Sequence, residues 1–127
     1  MLRIALTLAI VLLTLPSPAH ADITGKPRII DGDTIEIAGE RIRLHGIDAP
    51  ESKQICADKT GREWRCGQDA TFALAEMIGN HWITCRGDTR DRYRRLIAVC
   101  YAGPYDLNAK MVRQGWALAY RRYSIEY

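Results

Sequence analysis

The chain has 127 residues and a formal net charge of +3. With the first 21 set aside as a leader, 106 remain, enough for one small domain and no more; no internal repeat, low-complexity tract or second-domain boundary interrupts them. The charge is unevenly spread: residues 22–80 carry 8 basic and 11 acidic groups, residues 81–127 carry 9 and 4. An acidic half beside a basic half suits a metal site facing an anion-binding surface, or an ordinary mixed surface.

Residues 1–21 read as a secretory signal peptide. Arg3 supplies the positive start, Ile4 to Leu15 form an apolar run, Pro16 to Pro18 end it, and Ala19-His20-Ala21 has the small-x-small form of a cleavage site. Twelve apolar positions are too few for a membrane helix, which needs about 20. The mature domain is then residues 22–127, secreted or periplasmic, with no membrane contact and a monomer. In an exported domain of this size, an even cysteine count favours disulfides, and no CxxC spacing suggests zinc. Cys56–Cys66 and Cys85–Cys100 are the favoured pairs of the three possible connectivities, because each closes a short loop.

Thr24 to Lys26 read as a lead-in and Pro27 to Ile30 as an opening strand. Asp31-Gly32-Asp33 is a turn, and Thr34 to Ile37 alternates with period two, as a half-buried strand does. After a turn at Ala38-Gly39-Glu40, Arg41 to His45 alternates again, with Ile42 and Leu44 inward and Arg41, Arg43 and His45 outward. The stretch Ile30 to Ser52 thus sets acidic groups (Asp31, Asp33, Glu36, Asp48, Glu51) on strand ends beside Arg41 and Arg43, a pattern that suggests a metal site.

Ser52 to Arg65 lacks apolar periodicity and reads as a long loop stapled by Cys56–Cys66. Gln68 to Ile78 is helical, with Phe72, Leu74, Ala75, Met77 and Ile78 as its stripe and Gly79-Asn80 as its stop. His81 to Cys85 and Leu96 to Tyr101 read as strands flanking a charged turn over residues 87–95. Pairing them sets Cys85 opposite Cys100, and the loop-closure model assigns a bridge over about 15 residues roughly 3 kcal/mol. Leu107 to Gln114 is a second helix capped by Asp106 and ended by Gly115. Trp64, Trp82 and Trp116 read as packing residues, and His45 as a satisfied strand residue. This element order is that of a mainly β, α+β domain: a five-stranded barrel of OB type with two or three packed helices.

Four segments carry a resemblance: Ile30-Asp31-Gly32-Asp33-Thr34, Arg43 to Glu51 (RLHGIDAPE), Asp91 to Arg95 (DRYRR) and Val112 to Ala117 (VRQGWA). In this order and at about this spacing they resemble the motifs of the staphylococcal nuclease-like (thermonuclease) family, over Pro27 to Tyr123. The resemblance implies an OB-fold and a calcium-dependent phosphodiesterase acting on DNA and RNA. It implies Asp33 and Asp48 as carboxylate ligands of one calcium, with Ala49 adding its backbone carbonyl. Glu51 matches the general base, and Arg43 and Arg95 the two arginines that hold the reacting phosphate. Arg92 and Tyr93 fall where a neighbouring phosphate is contacted, and Tyr120 near a tyrosine of the nucleotide pocket. Asp31 is either a support to the ligand set or a plain turn residue; Tyr93, Tyr120 and Tyr123 could stack on bases or pack.

The chain departs from the family twice. Arg94 stands where glycine is usual; a positive φ there costs an arginine on the order of 1 kcal/mol or more. The family's third helix would begin about where this sequence stops, so the C-terminal helix is expected to be truncated.

The chemistry of these residue types points the same way. Calcium takes six to eight hard oxygen ligands, and guanidinium groups grip phosphate as a bidentate, permanently charged fork. A different class is a catalytically inactive OB-type module that binds nucleic acid or another anionic partner through the basic C-terminal half.

Overall fold

The computed structural model describes residues 22–120 and, apart from them, Leu15. The rest of the expected leader and Tyr123 lie outside the described residues. Strand β1 (Asp22–Gly25) is followed after two residues by β2 (Arg28–Asp31), then β3 (Thr34–Ile37), β4 (Glu40–Leu44) and a short β5 (Ile47–Asp48). A small hairpin, β6 (Cys56–Ala57) and β7 (Glu63–Trp64), leads into helix α1 (Cys66–Ile78). The long strands β8 (Ile83–Arg90) and β9 (Leu96–Ala102) come next, then β10 (Tyr105–Asp106), α2 (Leu107–Arg113) and β11 (Leu118–Ala119). No helix among the described residues is long and apolar enough to cross a membrane.

The main sheet has the order β1-β8-β9-β4-β3-β2, with β10 also on β9. Its two edge strands, β1 and β2, are consecutive in the chain and separated only by Lys26 and Pro27, so the sheet must curl back on itself. Gly25, at the end of β1, lies so close to β3 that a Cβ there would sit 2.7 Å from Ile37 Cγ2. Five runs of chain, β1/β2, β3, β4, β9 and β8, therefore make the barrel-like sheet of the expected OB-like, mixed α+β fold. Thr24 to Lys26, read as a lead-in, belongs in part to the strand that brings the edges together.

Alternation decides what the barrel encloses. Ile35 and Ile37 of β3, Ile42 and Leu44 of β4, and Leu96, Ala98 and Cys100 of β9 are buried on one face. Leu74 and Ile78 of α1 and Leu107 and Met111 of α2 close the core from outside the sheet. Phe72, expected in the buried stripe of α1, is instead exposed; the buried face runs through Cys66, Gly67, Ala70, Ala73, Leu74 and Ile78. Small residues lie on that face because the helix packs close, with the Glu51 backbone directly against Gly67.

Both expected disulfides are present, Cys56–Cys66 and Cys85–Cys100, the second joining directly paired residues of β8 and β9. Ser52 to Arg65 is more ordered than a loop, since it contains the β6–β7 hairpin. The charged turn is also shorter than expected. Strand β8 continues to Arg90 through a register shift between Arg86 and Thr89, where Gly87 lets the Ile97 carbonyl approach: a Cβ would lie 2.1 Å from it. Asn108 is fully buried and satisfied; its amide donates to the His45 and Ala98 carbonyls and accepts from the Cys100 N–H.

Candidate active site

Arg43 organises the acidic side of the site. Its guanidinium lies 3.2 Å from Asp33 Oδ2 through Nη1 and 3.7 Å from Asp48 Oδ1 through Nη2. The two carboxylates come from opposite ends of the β3–β4–β5 meander, and the strand pairing explains their meeting. Thr34 opposes Arg43 in the β3–β4 register, which sets Asp33 beside the arginine. The turn after Leu44 then reverses the chain, and Asp48 pairs with Leu118 of β11.

Asp33 is held on several sides. Its Oδ1 accepts from Thr34 Oγ1 at 3.0 Å, and its Oδ2 accepts from the Ala49 N–H at 2.8 Å. The residue is 5% exposed. Burial, reinforced by a hydrogen bond with the Asp31 side chain, pushes its pKa up to about 6, against the opposing pull of Arg43 and the Ala49 N–H. Asp31 is itself buried and accepts from the Asp33 N–H at 3.2 Å, so it supports the turn that presents Asp33. Gly32 between them packs on the same segment: a Cβ there would lie 2.8 Å from Ala49 Cβ.

This donor set suits a hard divalent cation. It offers carboxylate oxygens from Asp33 and Asp48, both at Arg43, and the charge of a bound cation would favour the ionised form of a buried Asp33. No cluster of three or more His, Cys, Asp or Glu side chains that could hold a metal ion forms among the described residues.

The raised pKa of Asp33 has a consequence for stability. Because the folded value lies above the ordinary 3.8, the protonated form is favoured in the folded chain. The contribution is fully present below pH about 4 and is lost as pH rises through about 6; a two-unit shift corresponds to roughly 3 kcal/mol. Urea titrations of metal-free protein at pH 4.5 and 7 are expected to show this group's loss, and Asp33→Asn to flatten the difference.

Glu51 stands on the loop after β5, with an exposed side chain but a firmly held backbone. Its N–H donates to Gln54 Oε1 at 3.1 Å, and its carbonyl accepts from the Gln54 N–H at 2.8 Å. That carbonyl rests directly on α1, where a Cβ on Gly67 would come within 1.6 Å of it. Gly67 is thus a positioning residue that the sequence reading missed. Its signal is slight: a glycine in the first turn of a helix, immediately after a bridged cysteine.

Arg95 reaches the opposite wall of the site. Strands β4 and β9 run parallel with Arg43 opposite Ile97, so Arg43, Arg95 and Ile97 share the outward face. Together with His45, Ile47, Arg92, Tyr93 and Tyr120 they line a cleft of about 310 Å³. Tyr120 is anchored by its N–H, which donates to the Gly46 carbonyl at 2.7 Å. Tyr93 is exposed, and its ring lies under two guanidinium groups, Arg92 at 5.0 Å and Arg95 at 5.5 Å.

The residue that sets Arg95 is Asp91, which the sequence reading placed in a motif but gave no role. Its Oδ1 accepts from the N–H groups of Tyr93 and Arg95, and its Oδ2 from Arg95 Nε at 2.7 Å. Burial pushes the Asp91 carboxyl up, but the hydrogen bonds and charge of Arg95 outweigh it and hold it below the usual range. Arg94 adopts φ 66°, the left-handed conformation that its position was expected to demand. Arg94→Gly is therefore expected to raise stability by about 1 kcal/mol in urea titration, with Arg95 kept in place by Asp91.

Two of the tryptophans do not pack as expected: Trp64 and Trp82 are exposed. Trp116 is partly buried against the core.

Residues 41–127 match the family model described as staphylococcal nuclease homologue. The chain is similar to the succinoglycan biosynthesis protein ExoI of Rhizobium meliloti, 40% identical over 117 residues, which span 91% of this chain and 61% of that protein. It is also similar to a micrococcal nuclease of Shigella flexneri, 36% identical over 129 residues (91% of this chain, 68% of the relative). An uncharacterized endonuclease of Escherichia coli O157:H7 is 36% identical over 112 residues, covering 84% of this chain and 67% of the relative. The chain belongs to the staphylococcal nuclease homologue family.

Proposed function

We propose that this protein is a nuclease that hydrolyses phosphodiester bonds of DNA and RNA with calcium, acting outside the cytoplasm after removal of a leader. The observation that carries the reading is the placement of Arg43. It contacts two carboxylates that suit a hard cation, and it lines the same cleft as Arg95. The names of relatives that call them nucleases or endonucleases support it.

In this reading Asp33, Asp48 and the Ala49 carbonyl would hold the calcium, and the ion would supply charge compensation to the phosphate and Lewis acidity. Arg43 and Arg95 bind the non-bridging oxygens, whose negative charge grows as the nucleophile adds; fixed guanidinium groups favour that charge without reorganising. Glu51 takes the proton of the attacking water, and its exposed carboxylate is reached from solvent. Arg92 and Tyr93 bind a neighbouring phosphate, and Tyr120 borders the space for its nucleoside.

Degradation of single-stranded DNA by the purified protein, dependent on calcium and abolished by EGTA and by Glu51→Gln, is the expected result. Cleavage that survives both would overturn the mechanism. Equal single-strand affinity with and without calcium, and no cleavage, would favour the alternative of an inactive binding module.

A further inference from the structure

A second cleft, of about 340 Å³, opens on the other side of Asp48. Asp48 and Ala49 line it on one edge and Leu118 and Trp116 on another. Trp64 and the Cys56–Cys66 bridge form the wall contributed by the β6–β7 hairpin. The paired strands β5 and β11 separate it from the arginine cleft: Ile47 lines one and Asp48 the other.

The two clefts differ in charge. The first holds Arg43, Arg92 and Arg95, whereas among the described residues none lining the second is Lys or Arg. Among the described residues a phosphate has no cationic partner there, and it would meet the Asp48 carboxylate. A nucleobase meets the apolar walls and the indole of Trp64, which is 42% exposed, beside Leu118, 75% exposed. Gln54, also in the lining, brings a side-chain amide to this space. The volume lies at the lower end of small-ligand sites, appropriate to a single nucleoside.

The geometry points to a second nucleotide subsite, in which Trp64 and Leu118 receive the base on the side of the scissile phosphate opposite the arginine cleft. This rests on the nuclease reading, because a strand whose phosphate lies at Arg43 and Asp48 must continue past Asp48 in one direction. Continuity with the acidic cluster commits the occupant to single-stranded nucleic acid. A paired base could not enter a recess of this kind, so duplex substrate would have to open first. The hairpin that the Cys56–Cys66 bridge staples then has a task, namely to hold one aromatic wall.

Binding of a short oligothymidylate to Glu51→Gln protein in calcium, followed by tryptophan fluorescence and by competition, tests the subsite. Trp64→Ala is expected to weaken binding roughly 5- to 150-fold, the range of one base–aromatic stack. Trp64→Phe should keep the affinity within about threefold while removing the Trp64 share of the fluorescence change, leaving that of Trp116 in the same cleft. Leu118→Glu, at a more exposed position, should weaken binding without altering the thermal transition, which separates loss of the subsite from loss of the fold. Unchanged affinity in both Trp64→Ala and Leu118→Glu overturns the subsite and leaves the nuclease reading intact if wild-type protein still cleaves. Absence of both cleavage and oligonucleotide binding in wild-type protein overturns the two together.

Discussion

Arg43→Ala is expected to reduce single-strand cleavage by roughly 10²–10³, measured as kcat on a fluorescent oligonucleotide. Two effects add. The phosphate loses a fixed guanidinium, and Asp33 loses the cation 3.2 Å from its Oδ2. Breaking a buried ion pair from one side leaves the other charge uncompensated, which costs about 3–5 kcal/mol where burial is complete. Here Asp33 can take up a proton instead, since its pKa already stands at about 6, and loss of Arg43 would push it higher. The stability loss should therefore be smaller at pH 5 than at pH 8. Arg43→Lys should recover stability better than rate, because an ammonium can neutralise Asp33 but cannot present a planar fork to phosphate while contacting two carboxylates. A lysine variant with wild-type kcat would remove Arg43 from the reacting centre.

Gly67→Ala is the second change with a large expected effect, although Gly67 touches no reacting atom. The added Cβ would meet the Glu51 carbonyl oxygen at 1.6 Å and its carbon at 2.7 Å, both backbone atoms. Neither can give way by a rotamer change, so the loop or the first turn of α1 must move. A displacement on the order of 1 Å costs about 10²-fold in rate when it misplaces a catalytic group, and overpacking of this kind costs about 1–3 kcal/mol. The discriminating measurement pairs kcat with oligonucleotide affinity. Glu51 should be misplaced while the arginine cleft, built on β4 and β9, keeps its grip, so kcat falls and Kd changes little. An equal fall in both would mean that the whole domain had loosened.

Much of this site could be read from the chain because its parts sit on strands. Period two announced β3 and β4, and with them the inward Ile42 and Leu44 and the outward Arg43. The Asp31-Gly32-Asp33 turn ahead of β3 was equally legible, and it carries Asp33. The parallel pairing of β4 with β9, which brings Arg95 to Arg43, has no local signal; only the resemblance joined the two. Asp91 was hidden for a related reason. An aspartate in a charged turn looks solvated, and its role depends on three donors that converge only in the folded turn. The exposed face of Phe72 was misread because a helical stripe assigns apolar residues inward by type, whereas α1 packs through alanine and glycine. Trp64 was misread by the same habit.

The two halves of the site are fastened by different chemistry. The arginines hang on main-chain ladders and on Asp91, all indifferent to redox conditions. The Glu51 loop leans on the start of α1, beside Cys66, whose partner Cys56 lies on the hairpin. A thiol reductant should therefore act on the molecule unevenly, releasing the hairpin while Cys85–Cys100, fully buried between β8 and β9, is shielded from attack. Protein produced in a reducing cytosol would then lose the Trp64 wall together with the support of the Glu51 loop. It would keep only the arginine cleft's hold on single strands and cut them poorly, and the same polypeptide refolded with oxidant would regain both wall and support. Where the chain is made would decide whether an assay finds a scissor or only a weakened clamp.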